Sequence, residues 1–473
     1  MGVIPILIAS NKKGPVIGAA PSYLKNPRNL QAGETTYDAF GFTAFTGTDR
    51  VTHFFRSGTS HLVGGNVYAR HYTPSTDTWG AKFLIESDSI DCRDVWGGVM
   101  DNGEVMLFTS RSYNGVGGTS LNTIDQYYLR GNATTMVFGS RVSIFAGTGL
   151  TQLDRGECFG RMAQGANPGE YYMPCFQWMN DGSQILVTML KTTDYWHTIN
   201  HYQVYSGTAW FTEGMAVYLG GSKLGLFCRN DYGGLLYYFE SNNNGVTWSD
   251  WTQTTLGWDL SAGTIIPGVY RDGPDVYVLV QDRGTGFIAI SKNSVSSINW
   301  AFPMPLANIE CYFYNKTTSP SNPALGYPTM LKLDGSHFLM LWSRETDIPV
   351  ANVWYTLDDL VTDNGLPAAP PAIAASFITS SGFRLDMTGY TQAQLNNIRY
   401  WQFDLSTAAD FSSYVTANYN SPLVTGAVLH NIRMPALWIQ PSGVETVTTY
   451  YARIRAVNNN GSSSYTAKTI TTT

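Results

Sequence analysis

The sequence predicts an all-β fold assembled from repeated hairpins, and three observations indicate it. Six stretches before residue 363 share one pattern, in which a Gly- or Asp-containing turn leads into an apolar strand ending on a cation. Dipeptides such as Asn102-Gly103 and Asp334-Gly335 supply the positive φ angles that tight hairpins need. Aromatic residues make up 14% of the chain and 47 residues are glycine, a composition suited to strands and turns. Repetition of such a unit predicts a six-bladed β-propeller.

The cations at the strand ends predict a binding surface. Equivalent residues of successive blades project around one axis, so six cations at one blade position should form a ring. These cations are Arg56, Arg111, Lys191, Arg229, Arg283 and Arg344. Such a ring favours an anionic ligand, and the five arginines are the ligand-binding candidates. Each arginine could instead hydrogen-bond loop carbonyls around the propeller mouth, which would be a purely structural role.

Acidic residues and a tyrosine are predicted to lie on the same face as the cations. In an antiparallel pair, the start of the first strand and the end of the second share one edge. The predicted first strands begin near Asp38, Asp94, Pro174, Glu213, Ile266 and Tyr327. We therefore expect Asp38 and Asp94 to bind ligand, and Glu213 and Tyr327 to be catalytic candidates in a carbohydrate site. Glu213 could equally be a counter-ion for Arg229, and Tyr327 a rim aromatic.

Composition excludes several other classes of protein. The formal net charge of −6, without a basic run, argues against nucleic-acid binding. The five scattered cysteines have no metal-ligand spacing, so neither a metal site nor a disulfide framework is expected. No stretch reaches transmembrane length, and the apolar first ten residues lack the basic start of a signal peptide. No nucleotide- or thiol-based motif is present, and no cofactor is expected.

Changes in composition predict four regions. Residues 1–35 lack strand periodicity and are predicted to be an N-terminal docking arm, part of which should complete the last blade. Residues 36–362 hold the hairpin repeats, and residues 363–371 form a proline-rich linker. Residues 372–473 are rich in Ser, Thr and Asn and are predicted to form a separate β-sandwich.

The last region resembles a fibronectin type III domain. Thr449-Tyr-Tyr-Ala-Arg-Ile-Arg-Ala-Val, followed by a Gly-Ser turn, is similar to strand F of that family and its F–G loop. Ile398-Arg-Tyr-Trp-Gln-Phe-Asp-Leu-Ser resembles strand C. The resemblance implies a sandwich of about a hundred residues acting as a spacer or adhesion module.

The hairpin region resembles the sialidase-like propellers that carry Asp-box (BNR) repeats. Ser241-Asn-Asn-Asn-Gly-Val-Thr-Trp248 is similar to the Asp-box pattern Ser-x-Asp-x-Gly-x-Thr-Trp, with Asn243 in place of Asp. Degenerate copies start at Ser75 and Ser291. In that family the motif folds the turn between the outer strands of a blade, so it indicates architecture and not catalysis.

The catalytic pattern of the same family is matched only in part. The segment from Glu213 to Arg229 resembles the one that carries the family's glutamate and second arginine. Arg283 falls at the third arginine and Tyr327 at the nucleophilic tyrosine. The first arginine is missing, because the equivalent stretch reads Tyr37-Asp38-Ala-Phe-Gly, and the loop at residues 56–63 lacks the acid/base Asp. A complete exo-sialidase is therefore not expected. Phage endosialidases, which keep a Glu and two Arg but no tyrosine, match Glu213, Arg229 and Arg283.

The pairing of modules resembles a bacteriophage tail fibre or tailspike. By that resemblance, the function is that of a virion appendage recognising a host surface glycan, an acidic one, at the axial mouth. A glycan depolymerase and a purely structural virion component are the alternatives. The expected partners are the glycan and other virion proteins that bind the N-terminal arm. The expected setting is a virion assembled in the host cytoplasm, with the chain as a homo-oligomer, a trimer by analogy with fibres.

Overall fold

A computed structural model gives the fold. It describes residues 25–29, 36–59, 64–88, 91–112, 124–145, 155–178, 183–231, 235–257, 265–282, 287–296, 298, 304–308, 325–334, 337–344, 351–356, 365–379, 382–388, 394, 400–412, 415–418, 436–439, 448–458 and 460–471. Strands and turns dominate these residues, together with a short 3₁₀ helix at Pro74–Thr76. The predicted all-β fold class is confirmed.

Six sheets, which we call blades one to six, account for the strands before the linker. The chain begins with β1 (Lys25–Asn29). Blade one contains β2 (Tyr37–Gly47), β3 (Arg50–Gly58), β4 (Asn66–Thr73) and β5 (Thr78–Glu86). Blade two contains β6 (Asp91–Val99), β7 (Glu104–Ser112), β8 (Ile124–Asn132) and β9 (Val142–Ser143). Blade three contains β10 (Arg155–Cys158), β11 (Ala163–Gln164), β12 (Tyr171–Trp178), β13 (Ile185–Thr192) and β14 (Asn200–Gly207). Blade four contains β15 (Phe211–Gly220), β16 (Lys223–Asn230), β17 (Leu235–Ser241) and β18 (Thr252–Gly257). Blade five contains β19 (Ile265–Asp272), β20 (Asp275–Asp282), β21 (Phe287–Ser294) and β22 (Met304–Asn308). Blade six contains β23 (Leu325–Lys332), β24 (His337–Arg344) and β25 (Ala351–Thr356).

The first strands of the blades form a closed ring. β2 contacts β6, β6 contacts β10, β11 contacts β15, β15 contacts β19, β19 contacts β23, and β23 returns to β2. A ring of sheets with the first strands innermost is a β-propeller, as the repeats predict. Residues that start these strands therefore surround one axis.

The N-terminal arm supplies the strand that closes the propeller. β1 pairs antiparallel with β25, so that Lys25 faces Trp354 and Asn29 faces Ala351. The resulting order β1-β25-β24-β23 gives blade six its fourth strand. The prediction that part of the arm completes the last blade is confirmed.

The predicted register of blade three is wrong. The apolar strand ending in Lys191 is the third strand of its blade, β13, and the second strand is β12. Lys191 therefore lies at the end of the blade opposite to the predicted ring, where its ammonium group is 3.4 Å from Glu170 Oε1. Pro174 lies in the middle of β12 and not at the start of a first strand. The first strand was missed because it is split into β10 and β11 around Gly160, whose φ is +90°.

The turn between the third and fourth strands of blade four has the hydrogen bonds of an Asp-box. Ser241 Oγ accepts from the backbone N–H groups of Asn243 at 3.4 Å and Gly245 at 2.9 Å. Asn243 Oδ1 accepts from the N–H of Thr247 at 2.8 Å. The turn between the outer strands is thus held by its own side chains, as predicted from the motif.

Blade three repeats this turn with different residues. Thr192 Oγ1 accepts from the N–H groups of Asp194 at 3.2 Å and Trp196 at 2.8 Å. Asp194 Oδ1 accepts from the N–H of Thr198 at 2.9 Å. The sequence pattern does not reveal this copy, because Trp196, whose φ is +64°, stands where the Asp-box pattern has its glycine. It is a further Asp-box-like turn at the same place in the blade.

The described residues after the linker form eight strands in two sheets. They are β26 (Ala372–Thr379), β27 (Gly382–Thr388), β28 (Tyr400–Ser406), β29 (Val415–Asn418), β30 (Ala436–Ile439), β31 (Thr449–Asn458), β32 (Gly461–Ser462) and β33 (Thr466–Thr471). One sheet has the order β26-β27-β30, and the other has β29-β28-β31 with β32 and β33 both paired to β31. The strands predicted as C and F, β28 and β31, are neighbours, as in an immunoglobulin-like sandwich.

Acid is expected to destabilise the propeller through His53. This side chain is buried on β3, its Nδ1 donating to Phe42 O at 3.2 Å, and burial lowers the pKa of His53 to about 3. The unfolded chain binds this proton near pH 6.5, so the stabilisation is complete above that pH and is lost as pH falls toward 3. Between pH 7 and 4.5 the loss should reach roughly 2–3 kcal/mol. Urea unfolding at both pH values should show a smaller loss in His53→Gln; an equal loss in both proteins would contradict this.

Candidate functional site

Among the described residues, four innermost strands carry a bulge near their start. The bulge of β2 follows Ala39, and the other three hold candidate site residues. The pairing with the second strand shifts after Arg93 in β6, after Thr212 in β15 and after Gly326 in β23. Each of these three bulges contains a non-glycine residue in the left-handed region, namely Asp94 (φ 53°), Glu213 (φ 47°) and Tyr327 (φ 66°). Such backbone costs roughly 1–3 kcal/mol per residue and is concentrated at functional sites. Bulges also redirect side chains, and here they redirect an acid or a phenol in each case.

Tyr327 and Glu213 are hydrogen-bonded to each other across the axis. The Tyr327 hydroxyl donates to Glu213 Oε1 at 2.8 Å, although the residues are 114 positions apart. Only 6% of Tyr327 and 8% of Glu213 is exposed. The other carboxylate oxygen, Glu213 Oε2, accepts from Arg229 Nη1 at 2.5 Å. A guanidinium bonded to one oxygen favours the ionised carboxylate, and the other oxygen is then a base for the phenol proton.

Arg229 is held by two carboxylates. Besides Glu213, its Nε lies 3.0 Å from Asp231 Oδ1. Burial lowers the pKa of Arg229, but the negative charges of Glu213 and Asp231 raise it by more, so its pKa stays above the ordinary value. Glu213 is thus both the counter-ion of Arg229 and the hydrogen-bond acceptor of Tyr327.

Two further acids, Asp94 and Glu157, lie beside Glu213. Burial raises the pKa of Asp94 well above its ordinary value, and the neighbouring Glu157 raises it further through its charge and a hydrogen bond. Glu213 also contributes to this shift, and Arg93 opposes it. Asp94 therefore holds a proton at pH values where an ordinary aspartate is ionised. Sequence reasoning missed Glu157, because it lies on β10, the four-residue first strand that the repeat pattern did not locate.

Aromatic rings close the site from one side. The Tyr327 ring lies 6.1 Å from Trp96 and 5.5 Å from Phe159, centroid to centroid. Trp96 and Phe159 pack on each other at 4.3 Å and are fully buried. Their apolar surface keeps water away from the phenol, which strengthens electrostatic interactions within the site. We call Asp94, Glu157, Glu213, Arg229 and Tyr327 the axial cluster.

Arg56 does not form part of an open ring of cations. It is fully buried, with 0% exposure, and pairs through Nε and Nη2 with Asp91 at the start of the first strand of blade two. Asp91 Oδ1 also accepts from the N–H of Gly65 at 2.5 Å. A Cβ at Gly65 would overlap the Arg56 side chain, so glycine is needed here for close approach. The contacts give Arg56 a role in joining blades one and two, which differs from the predicted role in ligand binding.

Arg111 and Asp38 also have partners of opposite charge. Arg111 Nε lies 2.9 Å from Asp88 Oδ2, and its side chain is 26% exposed. Asp38 Oδ2 lies 3.6 Å from Lys82 Nζ, which projects from the outermost strand of the same blade. These contacts differ from the expected convergence with Glu213, because the partners come from outer strands and connecting loops that the repeat pattern does not specify.

The structure describes only one of the two remaining arginines. Arg344 ends β24, the second strand of blade six, with its Cα opposite Leu325. Arg283 follows β20 directly in sequence and lies outside the described residues. Of the predicted site residues, the structure thus brings together Asp94, Glu213, Arg229 and Tyr327.

Replacing Asp94 by an amide that cannot ionise should stabilise the protein at neutral pH. Because the fold raises the pKa of Asp94, the contribution of this residue to the free energy of unfolding is fully present below pH 3.8 and is lost as pH rises. Asp94→Asn keeps the shape without the charge, and should raise the free energy of unfolding at pH 8 by roughly 1–2 kcal/mol. Urea unfolding at pH 4 should show little difference from the parent. A variant less stable than the parent at pH 8 would contradict this.

Comparisons with known proteins identify the fold. No protein-family model and no curated protein sequence matches this chain. Trypanosoma rangeli sialidase has a TM-score of 0.51 and 10% identity, covering 94% of this chain and 87% of that one. Hadza microbial sialidase Hz136 has a TM-score of 0.51 and 12% identity, covering 68% of this chain and 66% of its own. A Dyadobacter fermentans protein of unknown function has a TM-score of 0.56 and 14% identity, covering 69% and 98%. The predicted sialidase-like propeller fold is confirmed.

Two kinds of feature are absent from the described residues. These residues contain no helix with the length and apolarity needed to cross a membrane. Within the same residues, no three His, Cys, Asp or Glu side chains are grouped so that they could hold a metal ion.

Proposed function

We propose that this protein binds an acidic glycan at the axial cluster and hydrolyses one of its glycosidic bonds. The carrying observation is the hydrogen bond from Tyr327 to Glu213, whose other oxygen is held by Arg229. A nucleophile within hydrogen-bonding distance of a base that a third group orients is the arrangement of covalent catalysis. The sequence resemblance assigns the same roles to these residues.

The proposed reaction has two steps. Tyr327 Oη attacks the anomeric carbon, its proton passes to Glu213, and the bond from that carbon to the glycosidic oxygen breaks. The departing oxygen takes the proton held by the Asp94–Glu157 pair. Water then attacks the same carbon, releases the sugar from Tyr327 and restores the proton to the acid pair, while Glu213 returns its proton to the phenolate. Atoms and protons balance over the cycle, and no cofactor is required.

A second candidate function is recognition of the glycan without cleavage. Two features favour it: the segment at Tyr37-Asp38 lacks the arginine of exo-sialidases, and Asp38 pairs with Lys82. In this function the sugar carboxylate would be bound by cations of the second strands, of which Arg283 and Arg344 are the sequence candidates. Binding and cleavage would use the same mouth of the propeller.

We propose a bacteriophage virion as the biological setting. The support is the sequence resemblance of the propeller, the linker and the fibronectin type III-like region to tail fibres and tailspikes. In that setting residues preceding β1 would bind other virion proteins, and the chain would assemble as a trimer. Size-exclusion chromatography with light scattering tests the trimer, and antibody neutralisation of infection tests the setting.

A glycan array followed by a cleavage assay separates the functions. Soluble fragments released from a bound acidic glycan would support hydrolysis. Binding without release would support recognition alone. A protein that neither binds nor cleaves a glycan would be a structural virion component. Neutral analogues of the same glycan are the matched control, because the proposal requires a carboxylate.

A further inference from the structure

A cavity of about 420 Å³ lies at the axial end opposite to the axial cluster. Its walls come from the first strands of blades three, four and five, near the ends of β11, β15 and β19. Gln164 and Gly273 are exposed at its mouth, while Ala216 and Val217 are buried along its wall. The volume lies within the range of small-ligand pockets, about 300–1,000 Å³. We call this cavity the lower pocket.

Arg161 lies in the lower pocket without a carboxylate partner among the described residues. Its Nη1 is buried and has no hydrogen-bond acceptor there. Its guanidinium lies 5.4 Å from the centroid of the Tyr270 ring, a cation–π contact. Burial lowers the pKa of Arg161, and Tyr270 is the group that opposes this, whereas carboxylates raise the pKa of Arg229. A buried guanidinium without a counter-ion is costly, and an anionic ligand would remove that cost.

Arg271 adds a second positive charge to the same wall. Its Nη1 donates to Tyr218 O at 2.7 Å and its Nε to Gly273 O at 2.9 Å, so backbone carbonyls fix its position without neutralising it. Its guanidinium lies 5.2 Å from the Tyr218 ring. Among the described residues, the pocket lining includes these two arginines and no Asp or Glu. The pocket therefore carries a net positive charge in an acidic protein.

The lower pocket is separate from the axial cluster. Glu213 and Tyr218 lie on the same strand, β15, five residues apart. At about 3.3 Å per residue in a strand, this places Tyr218 roughly 16 Å from Glu213. Phe159, which packs on Tyr327, lies in sequence between Glu157 of the axial cluster and Arg161 of the lower pocket.

We propose that the lower pocket is a second binding site, for a carboxylate-bearing ligand of monosaccharide size such as a sugar acid. Arg161 binds the carboxylate at the inner end, because its planar guanidinium can donate two parallel hydrogen bonds. Arg271 adds a second charge, and Gln164 at the mouth bonds ligand hydroxyl groups. The apolar walls of Val217 and Val269 contact the sugar ring. The inference does not depend on the proposed hydrolysis.

Titration of the full chain with sugar acids tests this site. The probes are D-glucuronate and N-acetylneuraminate, with D-glucose and N-acetylmannosamine as neutral controls, followed by calorimetry. At least one acid should bind in preference to its neutral analogue. Arg161→Gln should weaken that binding about tenfold or more, as expected for loss of a charged hydrogen bond. Arg130→Gln, at a different place on the surface, is the control for loss of one positive charge.

The variants also separate the two sites. Binding at the lower pocket should persist in Glu213→Gln, so failure of the proposed hydrolysis would leave it unchanged. If Arg161→Gln does not fold by its thermal midpoint, Arg271→Gln at the pocket wall provides the same measurement. Failure of both acids to bind, or equal binding of the parent and a folded Arg161 or Arg271 variant, would overturn the proposal.

Discussion

Tyr327→Phe should reduce glycan cleavage by about 10²–10⁴-fold, the contribution typical of a positioned nucleophile or base. The substitution removes the attacking oxygen and the donor to Glu213 Oε1 while it keeps the ring that packs on Trp96 and Phe159. Glu213→Gln should reduce cleavage to a similar extent, because an amide keeps the size of the side chain but cannot take the phenol proton. Initial rates of fragment release at saturating glycan provide the measurement.

Tyr68→Phe is the matched control for that experiment. Tyr68 is a half-buried tyrosine on an outer strand of blade one, where its ring contacts Lys82. Its hydroxyl has no place in the proposed chemistry, so its cleavage rate should equal that of the parent. Full activity in a folded Tyr327→Phe protein would assign cleavage to another residue. Loss of glycan binding together with cleavage would show that the phenol acts in recognition.

The repeats predict most of the propeller, because blades with continuous hairpins share one pattern of turn and apolar strand. Blade three is the exception. Its first strand is divided into β10 and β11, too short to produce a periodic pattern, so the pattern was matched to β12 and β13 in its place. The Asp-box-like turn at Thr192 was hidden for a related reason, since Trp196 takes a backbone conformation that usually requires glycine.

The candidate site was predictable where it depends on strand starts. Asp94, Glu213 and Tyr327 are predictable because each lies near the start of an innermost strand, and the structure adds the bulge that aims them at the axis. Contacts between blades were not predictable. The partners of Arg56 and Arg111 are Asp91 and Asp88, whose proximity depends on how neighbouring sheets pack. A cation at a strand end therefore does not reveal whether it faces ligand or a neighbouring carboxylate.

Arg56→Ala should lower the free energy of unfolding by about 3–5 kcal/mol, the cost of breaking a buried ion pair. The arginine is fully buried and the Asp91 side chain is 3% exposed, so the substitution leaves an uncompensated carboxylate in the interior. Arg111→Ala is the control. That pair is partly exposed, and its loss should cost no more than about 1 kcal/mol. Urea unfolding of both variants at pH 7 measures the difference.

A double substitution distinguishes the structural role of Arg56 from the predicted role in ligand binding. Arg56→Met with Asp91→Leu replaces both charges by apolar side chains of similar size, and should cost less than Arg56→Ala alone. Removal of both charges also removes the acceptor for the N–H of Gly65, so a residual cost of roughly 1–3 kcal/mol is expected. Glycan binding by the folded double variant should equal that of the parent. If binding is lost while stability is kept, Arg56 contacts the ligand after all, and the original ring of cations regains its first member.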